Sequence, residues 1–219
     1  MIKNLEKLFN SVANPEVAAK QSAYMRNLFP FLGITKPQRE LLEKEIFKKT
    51  QIYSLADLQK TLLVLWQKDH REFHYTALCL AQRHRKIFTP EILPTLEAMI
   101  RANSWWDTVD MIAPNLVGHL VKTHPDLTKI MDRWIDDPYL WIRRAALLYQ
   151  LRWKQETDED RLFGYCEKTL HEKDFFIRKA IGWVLREYSK TKPAAVKKFI
   201  SAHRSRLSAL SVREASKYV

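Results

Sequence analysis

Apolar residues recur along this chain at intervals of three and four, the spacing that puts one buried stripe on a helix. Leu5, Leu8, Phe9 and Val12 do so over residues 2–12, and Asn14-Pro15 opens a second helix with Pro15 at its first position. A hydrophobic break, Phe29-Pro30-Phe31-Leu32-Gly33-Ile34, and a restart at Thr35-Lys36-Pro37 precede a helix over residues 41–49. From about residue 54 the predicted helices come in pairs. Ser54 caps a helix to Trp66, followed by one over 73–85. Thr89-Pro90-Glu91 opens a helix to Ile100, followed by 105–122. Pro125 opens a short helix to Ile135, followed by 138–154. Thr157 to Asp160 cap a helix to Leu170, followed by 174–188, and Lys192-Pro193 starts the last pair.

The pairs are internal repeats. Phe73-His74-Tyr75-Thr76-Ala77, Trp141-Ile142-Arg143-Arg144-Ala145, Phe176-Ile177-Arg178-Lys179-Ala180 and Ser211-Val212-Arg213-Glu214-Ala215 align on their alanines. The missing member falls at residue 110, which makes the spacings 33, 35, 35 and 35. A period near 35 residues over five units identifies an array of helix pairs. The Trp-x-x-Leu-Gly signature of tetratricopeptide repeats is absent, and Pro and Asp before the helices with Arg inside the second one look like HEAT-type repeats. Only four glycines in 219 residues argue against β-hairpins and Gly-rich phosphate loops. The expected fold is therefore all-α, an α-solenoid of HEAT-like two-helix repeats forming a single domain over residues 1–219, with a concave face.

At residue 110 the repeat breaks its own rule. Asp110 stands where its siblings carry alanine, in Asn103-Ser104-Trp105-Trp106-Asp107-Thr108-Val109-Asp110. Ser104 is the expected N-cap, and Asp107 closes a capping box, which accounts for Asp107 but not for Asp110. Trp106 lies four residues before Asp110, on the same helix face, and matches Phe73, Trp141 and Phe176. A carboxylate in place of a small packing residue is the kind of local break that marks function. On spacing alone Trp106 is either core or site; Trp105 goes with Val109 and Ile112 and is expected in the core. Trp66, Trp134 and Trp153 are expected to pack between repeats.

Charge narrows the partner. Lys and Arg number 37 against 25 Asp and Glu, a formal net charge of +12, spread along the chain. Such a surface favours a polyanion, most simply a nucleic acid. Arg143, Arg178 and Arg213 share one repeat position and are expected to form a structural ladder with acids such as Asp137 or Asp174. Arg144 and Lys179 hold the next position, where Glu214 ends the basic run. Lys179, Trp183 and Arg186 form a single basic and aromatic stripe suited to phosphates and to sugar or base faces.

Other chemistries find little support. Cys79 and Cys166 are far apart and outside any CxxC setting, so both are expected to be reduced, half-buried thiols. The seven histidines form no zinc set, and His70, His74 and His84 are expected to be satisfied surface residues. No signal peptide or membrane span is visible, which makes the cytoplasm the expected location. One carboxylate flanked by indoles and cations suits the cleavage of an N-glycosidic bond. A fixed anion stabilises the oxocarbenium-like sugar and orients water, and an already cationic base leaves without a general acid. A nearby arginine such as Arg144 keeps Asp110 ionised and contacts a backbone phosphate.

With these residues in hand, the chain resembles the bacterial AlkD family of alkylpurine DNA glycosylases over essentially its whole length. The resemblance rests on Ser104 to Asp110, on Trp141 to Ala145, and on Phe176 to Tyr188. Tyr24-Met25-Arg26-Asn27 and Pro30 to Ile34 fit as well. It implies a HEAT-like solenoid that wraps duplex DNA and, as a monofunctional glycosylase, removes cationic 3-methyladenine and 7-methylguanine, with no metal, no lyase step and no need to swing the base into a deep pocket; no cofactor is expected, and a monomer fits a solenoid that uses its concave face for DNA. It makes Asp110 the catalytic aspartate, Trp106 and Trp183 the pocket tryptophans, Arg144 the pocket arginine, and Tyr24 and Arg186 DNA contacts, with Lys179 beside them. The motif leaves open whether Arg143 or Arg144 faces the DNA. Two other readings compete: a non-catalytic HEAT-like module for distorted or branched DNA, which has no use for Asp110, and a solenoid that binds an acidic peptide.

Overall fold

The structure, a computed structural model, describes residues 1–218 and is helical, with no strand among the described residues. Contacts divide the chain into two compact units, Met1–Phe88 and Thr89–Val219.

The first unit holds α1 (Ile2–Ser11), α2 (Pro15–Tyr24), α3 (Lys36–Lys48), α4 (Leu55–Trp66) and α5 (Arg71–His84). Leu5 and Phe9 bury the stripe of α1, and the Phe9 ring meets Phe73 of α5 at 5.4 Å. Asn14 caps α2, accepting from the Val17 amide at 3.1 Å, and Ser54 caps α4, accepting from the Asp57 amide at 3.1 Å. The hydrophobic break is fixed by a buried carboxylate. Glu72 accepts from the backbone amides of Leu32, Gly33 and Ile34 at 3.0 to 3.2 Å. Gly33 turns there with φ +82°, and a Cβ on it would fall 2.0 Å from the Asn14 carbonyl oxygen. His74 is 1% exposed, not on the surface as expected. Its ring spans the Lys68 carbonyl at 2.9 Å and the Arg71 guanidinium at 3.1 Å, so a polar network replaces water around it.

The second unit contains α6 (Leu93–Arg101), α7 (Trp106–Ile112), α8 (Gly118–Thr123), α9 (Thr128–Trp134), α10 (Leu140–Leu148), α11 (Glu159–Thr169), α12 (Phe175–Ser189), α13 (Pro193–Ala202) and α14 (Ala209–Ala215). Successive second helices pack on one another, α7 on α10, α10 on α12 and α12 on α14, so they form one layer. Ala145, Ala180 and Ala215, the aligned alanines of that layer, are fully buried. Gly182 brings α14 against α12: a Cβ there would lie 2.6 Å from the Glu214 Cβ and 2.9 Å from the Ser211 carbonyl oxygen. The expected helix over 138–154 is shorter than its pattern. It ends at Leu148, and Lys154 adopts a left-handed φ of 55° before the cap of α11 at Asp158.

The arginine ladder forms only in part, with a different acid: Arg143 pairs with Glu172, Arg178 reaches a backbone carbonyl, and Arg213 is exposed. Arg143 donates to the carbonyls of Asp137 and Pro138 at 2.7 and 2.8 Å, and its Nε lies 2.7 Å from Glu172. Arg178 donates to the Glu172 carbonyl at 2.8 Å. Arg143 and Arg178 thus tie down the turns before their own helices. The acids expected in that role are already engaged: Asp137 with Arg101 at 2.6 Å, and Asp174 in capping α12 through the amides of Phe176 and Ile177.

Candidate active site in the second unit

Asp110 rides on a helix that cannot continue as it began. Pro114 lacks the N–H that an α-helix would deliver to the Asp110 carbonyl, and the backbone over Ala113–Val117 widens into a π turn. The Asn115 side chain donates to the Met111 carbonyl at 2.9 Å inside that turn. The start of α7 also differs from expectation. Trp105, not Ser104, stands at the N-cap, because the Ser104 hydroxyl is engaged backward with the Ile100 carbonyl and accepts from the Tyr139 hydroxyl at 2.8 Å.

Three rings from successive repeats meet beside this helix. Trp105 lies 5.6 Å from Trp141 and 5.0 Å from Phe176, and Trp141 lies 4.9 Å from Phe176. The ring that completes this cluster is Trp105, whereas the aligned sequence put Trp106 in that row. The contact register is therefore one residue off in this repeat. Val109, fully buried, takes the place of the alanines, and Asp110 matches Ala146 and Ile181, also buried. The anomaly survives the shift, since a carboxylate still stands where the neighbouring repeats bury apolar side chains. A π turn accommodates one extra residue, and it follows directly after.

The partner of Asp110 is Arg144 of α10. The Arg144 Nε and Nη2 each donate to one carboxylate oxygen at 2.8 Å, a two-bond fork, and Nη1 donates to the Phe176 carbonyl. The guanidinium also lies 5.9 Å from the Phe176 ring centre. The Arg144 side chain is 3% exposed and that of Asp110 is 17%. A cation this deep is tolerated because its donors on all three nitrogens are in use. Burial pushes the Asp110 carboxyl above its ordinary range, the Arg144 fork pulls it back, and Asp107 adds a smaller upward push. Each carboxylate oxygen accepts one bond from Arg144 and keeps capacity for a second. The site therefore presents an oriented, partly exposed anion with acceptor capacity beyond its bonds to Arg144.

Of the remaining expected residues, Trp106 is half-buried one turn before Asp110, and Trp183 is half-buried on α12, seven residues beyond Phe176 and so on the same face. Lys179 and Arg186 continue that face, and both pair with Glu214 of α14. Tyr24 ends α2 in the first unit, 71% exposed, before two left-handed residues, Arg26 and Asn27. Arg143 points to the turn carbonyls and Glu172, so Arg144 is the arginine that reaches Asp110. Sequence reasoning did not foresee the contact of Trp105 with Phe176, the π turn or the pairing of Glu214. For Glu214 a signal existed, since it lies one repeat beyond Lys179 with opposite charge. The thiols add no second site: burial pushes Cys79 up to about 11 and raises Cys166 as well.

The profile of the family described as DNA alkylation repair enzyme matches residues 5–219. No curated protein matches the chain. Among solved structures, a predicted DNA alkylation repair enzyme from Enterococcus faecalis is 36% identical with a TM-score of 0.88, covering 94% of this chain and 96% of that one. AlkD2 from Streptococcus mutans is 20% identical at a TM-score of 0.62, covering 81% and 88%. The smu.31 protein of Streptococcus mutans UA159 is 18% identical at 0.63, covering 93% and 98%. These last two share the helical repeat fold. With an AlkD-like fold and a profile match over nearly its full length, the chain belongs to the DNA alkylation repair enzyme family.

Proposed function

We propose that the protein is a monofunctional DNA glycosylase that hydrolyses the N-glycosidic bond of cationic alkylated purines, 3-methyladenine and 7-methylguanine, in duplex DNA. The observation that carries the reading is the Asp110 carboxylate, aimed by the two-bond fork of buried Arg144, which opposes the upward push of burial. As the alkylated base departs, positive charge grows on the sugar, and a preoriented anion at its face lowers the barrier without reorganising. The base is already a cation, so it leaves neutral and needs no proton. Water, oriented by a free acceptor position of Asp110, then adds to the sugar carbon, and the proton it loses passes by way of that carboxylate to solvent. Trp106, on the same helix face, and Trp183 contribute indole faces to the electron-poor sugar and the cationic base. Arg144 serves Asp110; Lys179, Arg186 and Tyr24, all more exposed than Arg144, take the phosphate backbone.

The competing reading, a DNA-binding module without catalysis, would treat the Asp110–Arg144 pair as a strut. The test is release of base from a duplex carrying a single 7-methylguanine by wild type and by Asp110→Asn. Release by wild type alone supports the glycosylase. Tight binding by both with release by neither gives the non-catalytic module its place.

A further inference from the structure

Three cations converge on one carboxylate at the last pair of layer helices. The Glu214 Oε1 accepts from the Lys179 Nζ at 2.9 Å, and its Oε2 takes the Arg186 Nη1 and lies 3.3 Å from the Lys217 Nζ. Glu214 is 7% exposed at its side chain, while Lys179 and Arg186 are 39% and 23% exposed. The carboxylate therefore sits beneath the cations and not over them. It cannot easily withdraw, because its Cβ is packed where Gly182 leaves room. The Lys179 hydrogen bond leads in holding the Glu214 carboxyl below its ordinary range.

Removing a carboxylate next to a polyanion would, by charge alone, strengthen binding. The geometry here argues the opposite sign. Lys179 and Arg186 are seven residues apart, two turns along α12, and each has a long flexible side chain that must be immobilised to meet a phosphate. One carboxylate bonded to both draws their heads together, and each cation has more donors than the one it gives to Glu214.

We propose that Glu214 is a positioning residue that holds Lys179 and Arg186 side by side as a preformed receptor for one backbone phosphodiester of DNA. The inference rests on the DNA-binding part of the reading above and adds a residue that itself carries the wrong charge for DNA. The test is the affinity of wild type and Glu214→Gln for an unmodified duplex across a series of salt concentrations. The glutamine variant is expected to bind about tenfold more weakly, as two unordered side chains would predict. Its salt dependence should fall by about one phosphate contact. Equal or tighter binding by Glu214→Gln, with the salt slope unchanged, overturns the proposal. If Glu214→Gln loses its melting transition, Glu214→Asp carries the same prediction, because it keeps the charge but is one methylene short of spanning both cations. A wild type that fails to bind duplex in a salt-dependent way would overturn the DNA reading itself, a distinguishable result.

Discussion

Replacing Asp110 with asparagine tests the catalytic reading most sharply, because the structure predicts two separable effects. Asparagine offers one carbonyl oxygen where Arg144 now meets two carboxylate oxygens at 2.8 Å, and its amide would set N–H against N–H. The Arg144 side chain is 3% exposed, so its charge would be left buried and poorly compensated. Breaking such a pair costs about 3–5 kcal/mol. For a chain of this size that is about 2–4 °C per kcal/mol, a fall of roughly 6–20 °C in Tm. Base release should fall independently by about 10²–10³, the usual loss when a preoriented group facing developing charge is removed. Asp110→Asn/Arg144→Met separates the two. Taking out the unpaired cation should restore most of the stability, with about 1 kcal/mol still missing for the donor lost to the Phe176 carbonyl. It should restore none of the activity. The assay is single-turnover release of 7-methylguanine from a duplex, run well below the lowest Tm found by circular dichroism. Full release by folded Asp110→Asn, or recovery of release together with stability in the double variant, would refute a chemical role for Asp110.

Three further outcomes follow from the geometry. Burial raises the Asp110 carboxyl, and the proposed mechanism uses only its ionised form, so release should fall as pH drops through a value above the ordinary aspartate range; the stability contribution of this group runs the other way, declining as pH rises between its unfolded and folded values. A single-turnover pH profile whose acid limb sits at or below the ordinary range would contradict this. Pro114→Ala restores the N–H aimed at the Asp110 carbonyl and should let the π turn relax toward α, leaving Tm undiminished while release falls by up to about 10² through misplacement of the carboxylate. Gly182→Ala should lower stability by about 1–3 kcal/mol, read by denaturant melting, because its Cβ would meet the Ser211 carbonyl oxygen at 2.9 Å and force α14 off α12.

The sequence by itself determined the helix pairs and their period, and it drew attention to the second helix of each pair. Apolar spacing, caps and the near absence of glycine are local signals, and Ser54, Asn14, Asp158 and Asp174 do cap where their residue types suggest. It also singled out Asp110, because a carboxylate in an apolar row is visible without coordinates. The tertiary structure decided what contacts what. Trp105 and not Trp106 joins Trp141 and Phe176, since a π turn shifts the register by one residue and periodicity assumes a uniform helix. Arg144 and not Arg143 reaches Asp110, because adjacent residues point about 100° apart around a helix and only packing of α10 on α7 selects between them. Glu214 gathers Lys179 and Arg186 for the same reason: partners 35 and 28 residues away share no local pattern, and only the close approach of α14 to α12 brings them to one carboxylate, whereas Lys217, three residues on, is a local neighbour.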